Sequence, residues 1–235
     1  MPNYVKNTLE ISGQEKDIIE VLNRICDPEK GLGTIDFERI IPMPEELDVD
    51  NDECSMEFAI KCALFDDMDT LKLDYPDFRG RRLREQLIGV SRDTIAKWSE
   101  IGWKYIDNRR KYGFYDWYGW RIANWGTKWN AWDCTYGTRV DYEESILSFY
   151  TAWGAPVPVI EKLASMFPNV TICHKWSDEG ILSNCGWERY TCGKKFESVD
   201  TQDEKTQKQI FYHLWGEKWE EDDEDWNDDA ETMKL

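Results

Sequence analysis

Residues Asn3 to Ser12 alternate, with Val5, Asn7, Leu9 and Ile11 on one side and Tyr4, Lys6, Thr8 and Glu10 on the other. A period of two sustained over that length belongs to a strand with one buried face. Ser12-Gly13-Gln14-Glu15 then has the spacing of a capping box. Ile18, Ile19, Leu22, Ile25 and Cys26 follow at helical intervals up to Asp27-Pro28. The chain opens β then α, and such a unit must bury its apolar sides against further strands.

The second half repeats this order. Ser145 to Trp153 is a β-branched and aromatic strand, and Pro156 and Pro158 stand where a helix begins. Val159, Ile160, Leu163, Ala164 and Phe167 follow at helical spacing until Pro168-Asn169. Val170, Ile172, His174 and Trp176 then alternate with Thr171, Cys173 and Lys175 into a turn at Ser177 to Gly180 and a hairpin through Ile181 to Tyr190. With a further strand around Thr127 to Tyr136, the pattern predicts an α+β fold, a ferredoxin-like split β-α-β sandwich with two helices on one sheet face. The core is expected at 1–32 and 125–192. Residues 33–124 form a large, mostly helical insertion between the first helix and the second strand. In it, Phe37 to Pro44 reads as extended, and Cys54 to Leu71 and Arg81 to Ile106 carry helical stretches. Residues 193–216 form a C-terminal helix, with Ile210, Phe211, Leu214 and Trp215 on its apolar side, and 217–235 an acidic tail.

Charge is distributed in blocks. The net −18 and a pI near 4.5 argue against binding duplex DNA through bulk positive charge. Residues 36–78 carry 14 acids and 3 bases, 79–128 carry 5 and 12, and 217–235 carry 10 and 2. Two acidic blocks therefore bracket a basic one holding Trp98, Trp103, Trp117, Trp120 and Trp125. Either the acids neutralise that stretch within the molecule, or the two signs face different partners. No window approaches the roughly 18 apolar residues needed to span a bilayer, and Met1 to Ser12 lacks the pattern of a signal peptide. A cytoplasmic protein without a membrane partner is expected.

No catalytic pattern emerges. The chain has no phosphate-binding glycine loop, nucleophile elbow, HExxH or calcium-loop spacing, and only His174 and His213 are available as neutral-range bases. The seven cysteines are odd in number and scattered, which fits reduced thiols. Cys173, His174, Cys185 and Cys192 match no compact zinc-knuckle spacing, and Cys173 and His174 are strand neighbours that must face opposite ways. Neither an enzyme nor a metal or other cofactor is expected.

Several ordered blocks carry a resemblance: MPNYVKNTLEISG at the start, IDFERIIPMPEEL, NWGTKWNAWD from Asn124 to Asp133, SFYTAWGAPVPVIEKLASMFP from Ser148 to Pro168, and H-x-W-x-D-E-G from His174 to Gly180. Together they resemble the YubB ferredoxin-like domain family of phages and conjugative plasmids. The resemblance spans residues 1 to about 195 and departs from the family at Gly154-Ala155, where the family tends to have a Ser-Pro pair. It implies the fold and a mobile-element origin, and supplies no reaction.

It also directs attention to the tryptophan-rich stretch. Trp125, Trp129 and Trp132 with Lys128 and Asn130 either line a cleft whose rings stack on a base or a partner side chain while Lys128 meets phosphate, or fill the core of a strand. Trp153 and His174 are further candidate binding residues with the same two readings. The charge total favours a non-enzymatic interaction protein that presents acidic surfaces to a host protein, such as a defence or nucleic-acid-processing protein. The alternative is a single-stranded nucleic-acid or nucleotide-binding module that uses residues 124–133.

Overall fold

The computed structural model describes residues 3–65, 86–138, 144–198 and 204–216. The expected acidic tail at 217–235, and residues 66–85 of the expected insertion, lie outside them. Six strands, β1 (Tyr4–Ser12), β2 (Trp132–Thr138), β3 (Glu144–Ala152), β4 (Thr171–Asp178), β5 (Gly186–Thr191) and β6 (Lys194–Ser198), form one sheet in the order β2-β3-β1-β4-β5-β6, with every pairing antiparallel. Among the described residues the helices are α1 (Glu15–Ile25), α2 (Met56–Ala63), α3 (Arg92–Tyr112), α4 (Trp117–Trp125), α5 (Val157–Met166) and α6 (Glu204–Trp215). β1 lies centrally: Leu9 stands opposite Leu147 of β3 and His174 of β4. With α1 after β1 and α5 between β3 and β4, this is the ferredoxin-like α+β arrangement, widened by the β5-β6 hairpin.

The alternation in β1 places Val5, Asn7, Leu9 and Ile11 on the buried side, all wholly inaccessible. Leu9 and Ile11 join Leu147, Phe149 and Ile172 in one apolar cluster. The α1 stripe of Ile18, Val21, Leu22 and Ile25 and the α5 stripe of Val159, Ile160, Leu163 and Ala164 complete it. Each such side chain removed from water contributes on the order of 1.5–3 kcal/mol, so this layer is the main stabilising term of the fold.

The opposite sheet face is covered by α6, which touches β4, β1 and β5. Ile210 and Leu214 are buried there with Cys185, and Trp187 and Trp215 pack beside them.

Between α1 and β2, helices α2 and α3 have a small core of their own, whereas Phe37, Leu47, Trp120 and Trp125 join the main cluster. Ala59, Ile60 and Leu64 pack on Tyr105 and Ile106 where α2 crosses α3. Gly102 permits the crossing, since a Cβ there would run into the Ala59 carbonyl. The buried Asn108 amide ties this layer down by donating to the carbonyls of Glu46 at 2.6 Å and Tyr115 at 3.2 Å.

Several local expectations are corrected. Ser12 is no helix cap, because the ladders on both sides of β1 retain it opposite Glu144 and Thr171; Gln14 caps α1 without a side-chain bond. Ile19 is 46% exposed and outside the stripe. Phe37–Arg39 is a 3-10 turn, held by the Asp36 carboxylate accepting from the Glu38 N–H at 3.0 Å. The strand placed around Thr127 starts only at Trp132. Within 193–216 the helix occupies Glu204–Trp215 alone and is preceded by β6, whose residues are all exposed. No helix among the described residues is long and apolar enough to cross a membrane.

Candidate binding site

The stretch from Trp125 to Trp132 divides into residues that fasten it and residues left at the surface. Trp125, the last residue of α4, is wholly buried with its ring edge-on to Phe37 and Trp120, and its Nε1 donates to the Ile41 carbonyl at 2.9 Å. Gly126 ends the helix at φ +79°, and a Cβ there would stand 2.7 Å from the Ala155 carbonyl. Gly154 approaches the Gly126 carbonyl still more closely. Only residues without side chains allow these two backbones to meet. The Thr127 hydroxyl donates to the Ala152 carbonyl at 2.8 Å and accepts from the Ala152 N–H at 3.1 Å. Asn130 bonds inward: Nδ2 donates to the Asp36 carboxylate at 2.6 Å, and Oδ1 accepts from the Phe37 and Ala131 N–H groups at 2.9 Å. The loop is thereby stapled at Thr127 to the end of β3 and at Asn130 to the turn at Asp36 and Phe37.

Lys128, Trp129, Trp132 and Trp153 remain outside, and the fold brings them together. The Lys128 ammonium lies 4.2 Å from the Trp129 ring centroid and 4.4 Å from that of Trp153. Trp129 is 37% exposed and Trp153 46%. Trp132 packs edge-on to Trp129 at 6.1 Å and stacks on Tyr150 at 6.3 Å. Tyr4 meets Trp132 at 5.6 Å, and Tyr150 reaches Trp215 of α6 at 6.1 Å. Tyr4, Tyr150 and Trp215 are not among the binding candidates that the sequence singles out. For Tyr4 and Tyr150 the available signal was an aromatic ring on the polar side of a strand; Trp215, at the end of α6, carried none.

His174 is elsewhere, on the face beneath α1 and α5. It is wholly buried, its Nε2 lies 3.0 Å from the Asn7 Oδ1, and its Nδ1 has no hydrogen-bond partner among the described residues. Asn7 Nδ2 in turn donates to the Val5 carbonyl and the Thr151 hydroxyl, both at 2.9 Å. Since Asn7 offers its amide oxygen, His174 donates from Nε2. Burial pushes its pKa down to about 3, so the ring stays neutral and cannot exchange protons with a substrate at ordinary pH. Cys173 points to the other sheet face, opposite Glu10 and Arg189, while His174 faces Leu9 and Glu188. Burial also raises the Tyr190 phenol, and its bond to Glu188 adds to the effect. Among the described residues no group of three or more His, Cys, Asp or Glu could hold a metal ion.

Among the described residues, several cations of the basic block are engaged inside the molecule. Lys111 pairs with Glu46 at 2.8 Å, and the Arg121 guanidinium lies 3.8 Å from Glu38, between the rings of Trp117 and Trp125. The Glu46 carboxyl is held down to about 2, first by its hydrogen bond to Lys111. Two of the acids neutralising this block therefore come from the acidic stretch before it. Glu45, Asp48, Asp50, Asp52 and Glu53 are left exposed along the loop that leads into α2.

No curated protein matches this chain. Among solved structures it is similar to the crystal structure of a protein api92 from Yersinia pseudotuberculosis, at 14% identity and a TM-score of 0.42, over 85% of this chain and 98% of that one. Residues 124–234, which begin at Asn124 and take in the stapled loop, match the model of the family described as the ferredoxin-like domain in Api92-like protein.

Proposed function

We propose that this chain is a non-enzymatic binding protein of a phage or plasmid, acting in the host cytoplasm, and that Lys128, Trp129 and Trp153 contact a single-stranded nucleic acid or a nucleotide. The observation that carries this reading is the position of the Lys128 ammonium between two exposed indoles on a stapled loop. Indole faces stack on any base, and a lysine meets phosphate as a point charge. The YubB resemblance supports the mobile-element origin. The neutral, buried His174 supports binding rather than acid-base chemistry. Against a net charge of −18 the affinity is expected to be micromolar and steeply weakened by salt. Titration of the full chain with a labelled oligothymidine at about 0.05 M and 0.15 M salt tests this, read by anisotropy and tryptophan quenching. No binding at the lower salt overturns it.

A host protein met through acidic surfaces is the second reading. The exposed run of Glu45, Asp48, Asp50, Asp52 and Glu53 favours it, since Asn51 braces the turn by donating to the Cys54 carbonyl at 2.8 Å. Replacing these five carboxylates with amides should abolish capture of a basic host protein if this reading holds.

A further inference from the structure

We infer that the Trp129–Trp153 pair is a self-occupied base slot. Lys128 fills it in the free protein and yields it to one nucleobase of a single strand, whose phosphate the lysine then meets. This rests on the nucleic-acid reading above.

The backbone at Trp153 provides the first support. Its φ of +67° is left-handed, a conformation that disfavours L-residues with bulky side chains, and here it carries the largest side chain of all. Three hydrogen bonds maintain it. The Trp153 N–H donates to the Asn3 carbonyl at 3.0 Å, Asn184 Nδ2 donates to the Trp153 carbonyl at 3.0 Å, and the Thr151 hydroxyl donates to the Gly154 carbonyl at 2.8 Å. An indole placed in the core would offset the strain by burial, but this one is 46% exposed. Strain held in place by its surroundings, with an indole only half-buried in return, is found at binding sites.

The second support is the occupant. An ammonium within cation–π distance of both rings means that Trp129 and Trp153 face one shared space, and the lysine is the group found in it. A flat ring offers each indole a larger contact than an ammonium does, and a base brings its own phosphate as a new partner for the displaced lysine. The loop beneath is fixed by Thr127 and by the Gly126–Gly154 approach, so the slot persists when Lys128 leaves.

The test uses the full chain and three variants with labelled oligothymidine and with the neutral nucleoside thymidine. Trp153→Gly suits the left-handed backbone, so its thermal midpoint is expected to equal or exceed that of the parent while oligonucleotide affinity falls at least about tenfold. Trp129→Ala should lose a similar factor. Lys128→Ala empties the slot: thymidine should bind several-fold more tightly than to the parent, and the salt dependence of oligonucleotide binding should drop by about one charge. Oligonucleotide binding unaffected by both tryptophan variants overturns the slot while leaving nucleic-acid binding to another surface. Thymidine binding that is unchanged or weaker in Lys128→Ala overturns the self-occupancy. A parent chain that binds no oligonucleotide at low salt overturns the slot and the broader reading together.

Discussion

The two faces of the sheet are built from the same strands, one residue apart, and they are physically unlike. Beneath α1 and α5 lie Leu9, Ile11, Leu147, Phe149 and Ile172, interrupted only by polar groups bonded to one another, such as Asn7 with Thr151 and His174. Under α6 lie Lys6, Thr8, Glu10, Ser148, Tyr150 and Lys175, paired as Thr8 with Ser148 at 3.2 Å and Lys175 with Glu10 at 2.8 Å. The first face holds the fold through area removed from water. The second adds little of that kind, so its residues are free to serve other ends, and its uncovered margin leads into the aromatic cluster around Trp129 and Trp153. Stability and candidate function are thus separated by a single step along a strand.

Adjacent residues of β3 give the largest expected contrast. Phe149 is 1% exposed against Phe37, and Phe149→Ala should cost about 3–5 kcal/mol in urea unfolding. Tyr150, half-buried on the other face, should cost about 1 kcal/mol as Tyr150→Ala. Equal losses would break the comparison.

The next effect is titration of the buried face. His174 is neutral in the fold down to about pH 3, whereas an unfolded histidine takes its proton near 6.5. Above roughly pH 6.5 both states are neutral and His174 adds no pH dependence. As pH falls below that value only the unfolded chain gains the proton, so stability declines by about 1.4 kcal/mol per pH unit until the folded pKa is reached. At pH 5 this is a loss of about 2 kcal/mol. The slope should be shallower in His174→Gln, whose amide can still donate to Asn7. The difference between the two proteins isolates His174 from the carboxylates and His213.

Smaller again is the response of the α6 side. Leu214→Ala should lower the opening free energy of α6 by about 1–2 kcal/mol while the protection of β1 is unchanged, as read by hydrogen exchange. Loss of protection in β1 as well would make the second face part of the main cooperative unit.

The same contrast explains what was legible in the sequence. The alternation of Val5 to Ile11 and the stripe of Val159 to Ala164 were readable because burial on one side enforces a period. β6 was not, since Lys194 to Ser198 are all exposed and are held by backbone pairing with β5 and by the Lys195–Glu188 and Arg189–Glu197 ion pairs. α4 falls within the stretch expected to be mostly helical but was not singled out, because Trp117, Tyr118, Gly119 and Trp120 carry little helical signal, and its start depends on the Asp116 carboxylate accepting from the Gly119 N–H at 3.2 Å. In the candidate site, Trp125 and Trp129 stand in one motif with identical chemistry. Trp125 is core because it ends α4 against Phe37, Trp120 and the Ile41 carbonyl, which lie far from it in sequence or on its own helix, and no local pattern separates it from Trp129.

The smallest effect concerns what holds α6 to its face beyond apolar contact. The Lys6 ammonium lies 5.6 Å from the Trp215 ring, and Trp215 also reaches Tyr150. An ammonium over an indole at a partly solvated site contributes about 0.5–1 kcal/mol. Single replacements would confound this with lost packing, because the methylene stem of Lys6 and the body of the indole also bury area. A double-mutant cycle with Lys6→Met and Trp215→Leu removes those parts and should leave a coupling of about 0.5–1 kcal/mol, reduced little by salt because a ring quadrupole rather than a second charge faces the ammonium. Zero coupling would mean that the cation–π contact does not help to seat the helix, leaving that to Ile210, Leu214 and the other contacts of this face. A coupling above about 2 kcal/mol would require a desolvated cation, and this margin of the second face would then stabilise the fold on the same scale as a buried residue of the first.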